Sequence, residues 1–188
     1  MQGGNYFLKI VLMGEGAVGK TSLRNRYMGK GFKSQHLMTI GADFATHRQV
    51  IDGNAVTWQI WDLAGQQTFQ SVRQRFFKGA MGGLLVFDVT RPETFMALPQ
   101  WIDELWRNSG RGVVPMVLLG NKADLKRAVS KKQAMEYAKL LTQTVKQYGF
   151  TVEYMDTSAK TGLNVQLAFE TLGRQIIDAI KKGKLSLA

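Results

Sequence analysis

Residues 14 to 22, Gly14-Glu15-Gly16-Ala17-Val18-Gly19-Lys20-Thr21-Ser22, fill the pattern G-x-x-x-x-G-K-T. Glycines at the two ends let the backbone curl until successive N–H groups converge on one anion. A helix opening at Lys20 would add the partial positive charge of its first turn. Lys20 would then reach the β- and γ-phosphates of a nucleotide, and the Thr21 hydroxyl would ligate Mg²⁺. The alternative, a glycine turn with an incidental lysine, is disfavoured because an apolar run precedes the loop and a helical pattern follows it. Phosphate binding alone does not choose among kinases, ATPases and GTPases.

Two later stretches address the base. Asn121-Lys122-Ala123-Asp124 and Ser158-Ala159-Lys160 each follow an apolar run. In an open parallel sheet the carboxyl ends of strands line the ligand crevice. A carboxylate such as Asp124 can accept from two donors at once, and guanine presents its N1–H and exocyclic amine in that geometry. Adenine has neither there and would leave the carboxylate unpaired, at a cost of a few kcal/mol. Either motif alone is also an ordinary loop or helix start, but in order after the phosphate loop they point together to guanine.

The elements that must position these residues are legible as alternating patterns. Residues 6–13, 83–89, 113–121 and 150–158 are short, nearly continuous apolar runs that suit parallel strands covered on both faces. Residues 42–51 and 55–62 flank Asp52-Gly53-Asn54, a hairpin turn signal. Helices are predicted over about 20–27, 92–106, from Ser130 onward, and from Asn164 onward. Ser130 with Gln133 forms a capping-box pattern. Ala134, Ala138, Leu141, Val145 and Tyr148 recur at helical spacing behind it, as do Leu167, Ala168, Leu172, Ile176 and Ile180 in the last helix. The prediction is one α/β domain over 1–188, with 1–5 and 183–188 as flexible ends. Its sheet has six strands, mostly parallel with one antiparallel hairpin strand, and about five helices cover both faces.

The chain has 188 residues, 45% of them apolar, and no cysteine, which excludes disulfides and thiolate metal sites. Two histidines, His36 and His47, are too few for a zinc site. No apolar run reaches the roughly eighteen residues of a membrane span.

The segments "GEGAVGKTS", "TIGADF" (39–44), "WDLAGQ" (61–66), "GNKADL" (120–125) and "TSAKTG" (157–162) together resemble the Ras superfamily of small GTPases, closest to its Rab branch. The resemblance covers about residues 6–182 and implies the P-loop NTPase fold of small G proteins. It also implies a switch that binds GTP and Mg²⁺ and hydrolyses GTP to GDP. By that resemblance Thr21, Thr39 and Asp62 would hold the metal. Gln66 would orient the attacking water, with Lys20, Thr39 and Gly65 completing the catalytic set. Phe32 would pack against guanine, Lys122 along its other side, and Asn121 would tie the loops together. The Ala159 N–H would read the base, with Ser158 and Lys160 beside it. Glu15, Gly16, Ala17, Val18 and Ser22 complete the nucleotide-binding set.

Two alternatives stand beside it: a kinase acting on a small molecule, for which no lid segment is visible, and a GTP-binding module with little hydrolysis. Gln67 stands where Rab-like chains usually carry glutamate, which leaves exchange-factor contacts open. With no cysteine near its end, the chain offers no prenylation box, and "MQGG" is no myristoylation signal. The interval from Asn121 to Ser158 predicts an extended helix after Ser130. No arginine lies from Met28 through Thr39, so none is offered in cis just before the threonine, with Lys33 the nearest cation. Slow hydrolysis and an external activator are therefore expected.

Formal net charge is +11. Clusters at Arg73, Arg75 and Lys78, at Lys126, Arg127, Lys131 and Lys132, and at Lys181, Lys182 and Lys184 fit a solvated surface, weak contact with anionic membranes or, least, RNA. No DNA partner is expected. Phe44, Trp61 and Phe76 fit either core packing or a partner face. Effectors, exchange factors and GTPase-activating proteins are expected over about 32–44 and 61–78. The protein is expected as a monomer in the cytoplasm, or peripheral at a membrane surface.

Overall fold

The computed structural model describes residues 3–32 and 38–187. Six strands form one sheet in the order β2-β3-β1-β4-β5-β6. They are β1 (Asn5–Met13), β2 (Ala42–Ile51), β3 (Asn54–Leu63), β4 (Gly82–Asp88), β5 (Met116–Asn121) and β6 (Glu153–Asp156). Only β2 and β3 pair antiparallel; the other neighbours are parallel. The hairpin closes at Ile51↔Asn54 over Asp52 (φ 47°) and Gly53 (φ 78°). Two positive φ values in a two-residue loop match the twist of the flanking strands, and Asp-Gly tolerates them. Every residue of β4 and β5 is buried, as the unbroken apolar runs require.

The helices are α1 (Lys20–Tyr27), α2 (Gln70–Phe77), α3 (Pro92–Met96), α4 (Leu98–Asn108), α5 (Lys131–Val145) and α6 (Val165–Lys181). Consecutive glycines on β4 show the two layers. A Cβ on Gly82 would meet Ile176 and Leu172 of α6, while one on Gly83 would meet Leu105 of α4. The α1 helix joins α6 on the first face, and α2 joins α4 on the second. The expected fold, about five helices over a six-stranded mixed sheet, is what the chain adopts once α3 and α4 are counted as one interrupted helix.

That interruption corrects the single helix predicted over 92–106. Ala97 separates the two pieces (ψ −9°), and Pro99 sits in the first turn of α4. Proline has no N–H to give to the carbonyl four residues back, so it ends one helix and starts the next. The α2 helix has little signal in the sequence; its short stretch has one strongly apolar turn and reads as a basic stretch. Tyr148 falls past the end of α5, in a 3₁₀ turn (Lys146–Tyr148), and is exposed. Leu167 is exposed as well, and Phe169 takes the inward place, stacking on Tyr27 with ring centroids 3.8 Å apart. Strands β5 and β6 are shorter than the runs that signalled them. The Ser130 capping box forms as predicted: Gln133 N donates to Ser130 Oγ at 3.2 Å, and Ser130 N to Gln133 Oε1 at 3.0 Å. Of the stretches expected as tails, Asn5 opens β1 and Leu185 is buried.

Candidate functional site

The phosphate loop leaves β1 and enters α1 at the carboxyl end of the parallel strands. Gly14 (φ 142°) lies so close to β4 that a Cβ would collide with the Val86 carbonyl. Gly19 (φ 103°) lies against the Asn121 side-chain amide in the same way. Lys20 folds back over the loop, its Nζ donating to the carbonyls of Gly14 at 2.6 Å and Glu15 at 2.8 Å. Burial pulls the Lys20 ammonium down to about 8, against the opposing pull of Asp62 and Glu15, with Arg73 adding to the fall. The Glu15 side chain turns away from the cavity and accepts from Trp101 Nε1 at 3.0 Å. Val18 is fully buried. Both can therefore serve a nucleotide only through the backbone.

Three oxygen-bearing side chains meet beside Lys20. The Thr21 hydroxyl donates to Asp62 Oδ2 and lies 3.2 Å from the Thr39 hydroxyl, itself 3.5 Å from Asp62 Oδ2. Burial at the end of β3 raises the Asp62 carboxyl; Thr21, Lys20 and Arg24 act against that rise. Asp62 Oδ1 is buried without a hydrogen-bond partner among the described residues. Two hydroxyls and a carboxylate are the hard donors that Mg²⁺ takes, and an unpaired buried carboxylate oxygen is what a cation would satisfy. The residues fit the metal.

Gly65 packs directly on the phosphate loop, where a Cβ would collide with the backbone of Glu15 and Gly16. Gln66 is exposed, its Nε2 donating to Met38 Sδ at 2.9 Å. Its carbonyl accepts from Arg73 Nη1 at 2.9 Å. Arg73 is not part of a surface cluster, as its sequence neighbours suggested. It is buried in a two-pronged pair with Glu104 (2.7 and 2.8 Å) and lies 3.9 Å over the Trp101 ring. Gly16, Lys20, Thr39, Gln66 and Arg91 border one cavity of about 350 Å³. Lys33 lies outside the described residues, as do His36 and the rest of 33–37.

A second cavity, about 380 Å³, is lined by Phe32, Lys122, Asp124, Ala159 and Lys160. Asn121 ties its walls together: Nδ2 donates to Val18 O at 2.9 Å, while Oδ1 accepts from Thr157 at 3.2 Å and Ala159 N at 3.3 Å. Asp124 Oδ1 accepts from Ser158 Oγ at 2.6 Å. Lys122 Nζ spans Ala17 O (2.8 Å) and Asp88 (2.7 Å). Arg127, read from sequence as a surface charge, grips Asp156 bidentately at 2.8 and 3.0 Å and so holds together the loops that carry Asp124 and Ser158. The two cavities share Gly19 and Ser22. One ligand with a phosphate tail and a flat ring can therefore span both.

The model of the Ras family matches residues 9–178. The chain belongs to the Ras family. Within it the resemblance is to the Rab branch. The chain is 42% identical over 175 residues to Ras-related protein Rab7 of Drosophila melanogaster, covering 91% of this chain and 81% of that one. It is 42% identical over 175 residues to Ras-related protein Rab-7a of Dictyostelium discoideum, covering 90% and 82%. It is 38% identical over 179 residues to the Ypt/Rab-type GTPase ypt7 of Schizosaccharomyces pombe, covering 92% and 83%. The protein is a GTP-binding and GTP-hydrolysing switch of the Rab type, and neither a small-molecule kinase nor a non-hydrolysing module is favoured. As a Ras-family GTPase it works with regulators and effectors.

Sequence reasoning missed Arg91, the buried Arg73–Glu104 pair and the Arg127–Asp156 clamp. Arg91 did carry a signal, since it lies three residues past the end of β4, where a parallel sheet keeps its ligand crevice.

Proposed function

We propose that GTP lies across the two cavities, its triphosphate in the first and its guanine in the second, with Mg²⁺ held by Thr21, Thr39 and Asp62. The observation that carries this is the shared wall at Gly19 and Ser22. Asp124 accepts from the guanine N1–H and amine, and Ala159 N–H faces its carbonyl. Phe32 and Lys122 close on the ring. The N–H groups of residues 14–22 and the Lys20 ammonium neutralise the phosphates. Mg²⁺ supplies positive charge to the phosphoryl oxygens when bound.

Gln66 orients a water against the γ-phosphorus, in line with the bond to be broken. That bond parts from the bridging oxygen, which leaves on GDP, and the water becomes part of inorganic phosphate. Thr39 and Gly65 contact the γ-phosphate by backbone N–H, so its loss frees the segments 38–41 and 65–78.

These segments flank an aromatic row. Phe44, Trp61 and Phe76 stack with centroids 5.1 and 5.3 Å apart, and Phe44 is 57% exposed, so the row is open to a partner. Ile40 and Val72 are exposed as well. We assign effectors and regulators to this face. Membrane traffic is the setting that the Rab relatives support. No helix among the described residues is long and apolar enough to cross a membrane. The net charge of +11 supports weak adsorption to an anionic surface.

Single-turnover hydrolysis of bound GTP tests the reading. Gln66→Leu should slow hydrolysis while leaving GTP affinity nearly intact, since the side chain acts on the water. Equal affinity of the unmutated protein for ATP and GTP would overturn it.

A further inference from the structure

Arg91 enters the phosphate cavity from an element with no assigned part in the chemistry. Its Nη1 donates to the carbonyl of Gly16 at 3.1 Å, across 75 residues of sequence. Its Nε donates to Glu93 Oε1 at 2.9 Å. Nη2 has no hydrogen-bond partner among the described residues. Arg91 lines one cavity with Lys20, Thr39, Gly65 and Gln66.

The backbone beneath it is fixed from several sides. Arg91 N donates to Asp88 O at 3.0 Å, and its carbonyl accepts from the Thr94 hydroxyl at 2.7 Å and from Thr94 N at 3.1 Å. That hydroxyl in turn accepts from Asp88 N at 3.0 Å, at the end of β4. Pro92 restricts Arg91 to extended backbone (φ −128°, ψ 95°), so the side chain leaves a defined point at the start of α3.

We propose that Arg91 is a catalytic arginine supplied in cis to the γ-phosphoryl group of GTP. The inference rests on the GTPase reading above. In hydrolysis, negative charge spreads over the equatorial oxygens of the transferring phosphoryl group and onto the bridging oxygen that leaves with GDP. A guanidinium offers a planar fork to such oxygens and stays protonated throughout. Arg91 therefore takes no proton. The water's protons end on phosphate and solvent, and the electron pair of the broken P–O bond stays with GDP. The Gly16 carbonyl holds the fork at the loop in the meantime. The exposed Glu93 partner, 66% accessible at its side chain, is a weak restraint on it. No arginine between Met28 and Thr39 is needed for this. The arginine comes instead from the carboxyl end of β4.

The test compares the unmutated chain with Arg91→Ala and Arg91→Lys, each loaded with nucleotide and Mg²⁺ and free of any partner protein. Single-turnover hydrolysis should fall about 10-fold or more in Arg91→Ala, the scale separating switches with and without a cis arginine. Arg91→Lys should recover only part of it, because lysine lacks the fork. GTP and GDP affinities should stay within about twofold, since the group acts on charge that develops in the transition state. A second readout is capture of aluminium fluoride beside GDP, followed by ¹⁹F NMR. The unmutated chain alone should capture it, and Arg91→Ala should not. Three results would each overturn the proposal: hydrolysis by Arg91→Ala within twofold of the unmutated rate, a loss matched by equal loss of GTP and GDP affinity, or no capture by the unmutated chain. Hydrolysis that stops with Gln66→Leu shows independently that the GTPase reading stands.

Discussion

The buried Arg73–Glu104 pair ties the Gln66 segment to α4, and replacing Glu104 by glutamine measures how much of the fold hangs on it. The two side chains are 1% and 5% exposed. Glu104 Oε2 accepts from Arg73 Nε at 2.8 Å, and Oε1 accepts from Arg73 Nη2 at 2.7 Å, Gln70 at 2.9 Å and Gln100 at 3.2 Å. Glutamine has the same shape but no charge. Whichever way the amide turns, its NH₂ group faces a donor of the guanidinium. Breaking a buried pair from one side costs about 3–5 kcal/mol. One acceptor survives here, which puts the expected loss near the lower end, about 3 kcal/mol. For a chain of this size that corresponds to about 6–12 °C in Tm. The assay is urea and thermal unfolding by circular dichroism at saturating GDP and Mg²⁺. The control is Asp103→Asn, which removes the exposed partner of Arg107 (76% and 55% accessible) and should cost under about 1 kcal/mol. The double variant Arg73→Met, Glu104→Leu should recover most of the stability, because it leaves no buried charge unpaired. It should still hydrolyse GTP more slowly, because the Gln66 carbonyl loses its donor. If Glu104→Gln unfolds within about 1 kcal/mol of the control, the pair is not a dry, mutually dependent contact.

Asp124→Asn should weaken GTP by about 1.5–3 kcal/mol and favour xanthine nucleotides, whose C2 oxygen pairs with an amide donor; competition binding reads both. Arg127→Ala should loosen the base cavity and raise the GDP dissociation rate, measured with a fluorescent analogue. Burial pushes the Asp156 carboxyl up, but the hydrogen bonds from Arg127 and Tyr154 outweigh it and leave it below the usual aspartate value of 3.8. A depressed carboxyl contributes stability above its unfolded value and loses it as pH falls through the folded one. The stability gap between the unmutated protein and Arg127→Ala should therefore be full above about pH 4 and close in stronger acid. Vesicles rich in anionic lipid should sediment the protein at low salt and release it at high salt; no sedimentation at low salt would leave the charge to solubility alone.

The loops that hold phosphate and base were legible because their chemistry is local. Three glycines, a lysine and a threonine act within nine residues, and Asn121 through Asp124 act within four. The sheet was legible for a related reason, since strands covered on both faces must be apolar throughout, as β4 and β5 are. The hairpin could be placed because two positive φ values demand Asp-Gly. Other features had no local signature. Arg73 reads as a surface charge until α4 brings Glu104 to it across 31 residues. Arg127 reads the same way until β6 brings Asp156 across 29. Phe44, Trp61 and Phe76 fit core or surface equally well, and only the edge position of β2 leaves Phe44 open. Arg91 reaches the phosphate loop because β1 and β4 are neighbours, which sets the turn after β4 beside the turn after β1. A charge takes its role from what surrounds it, and those surroundings are assembled by strand order, which no single stretch of sequence contains.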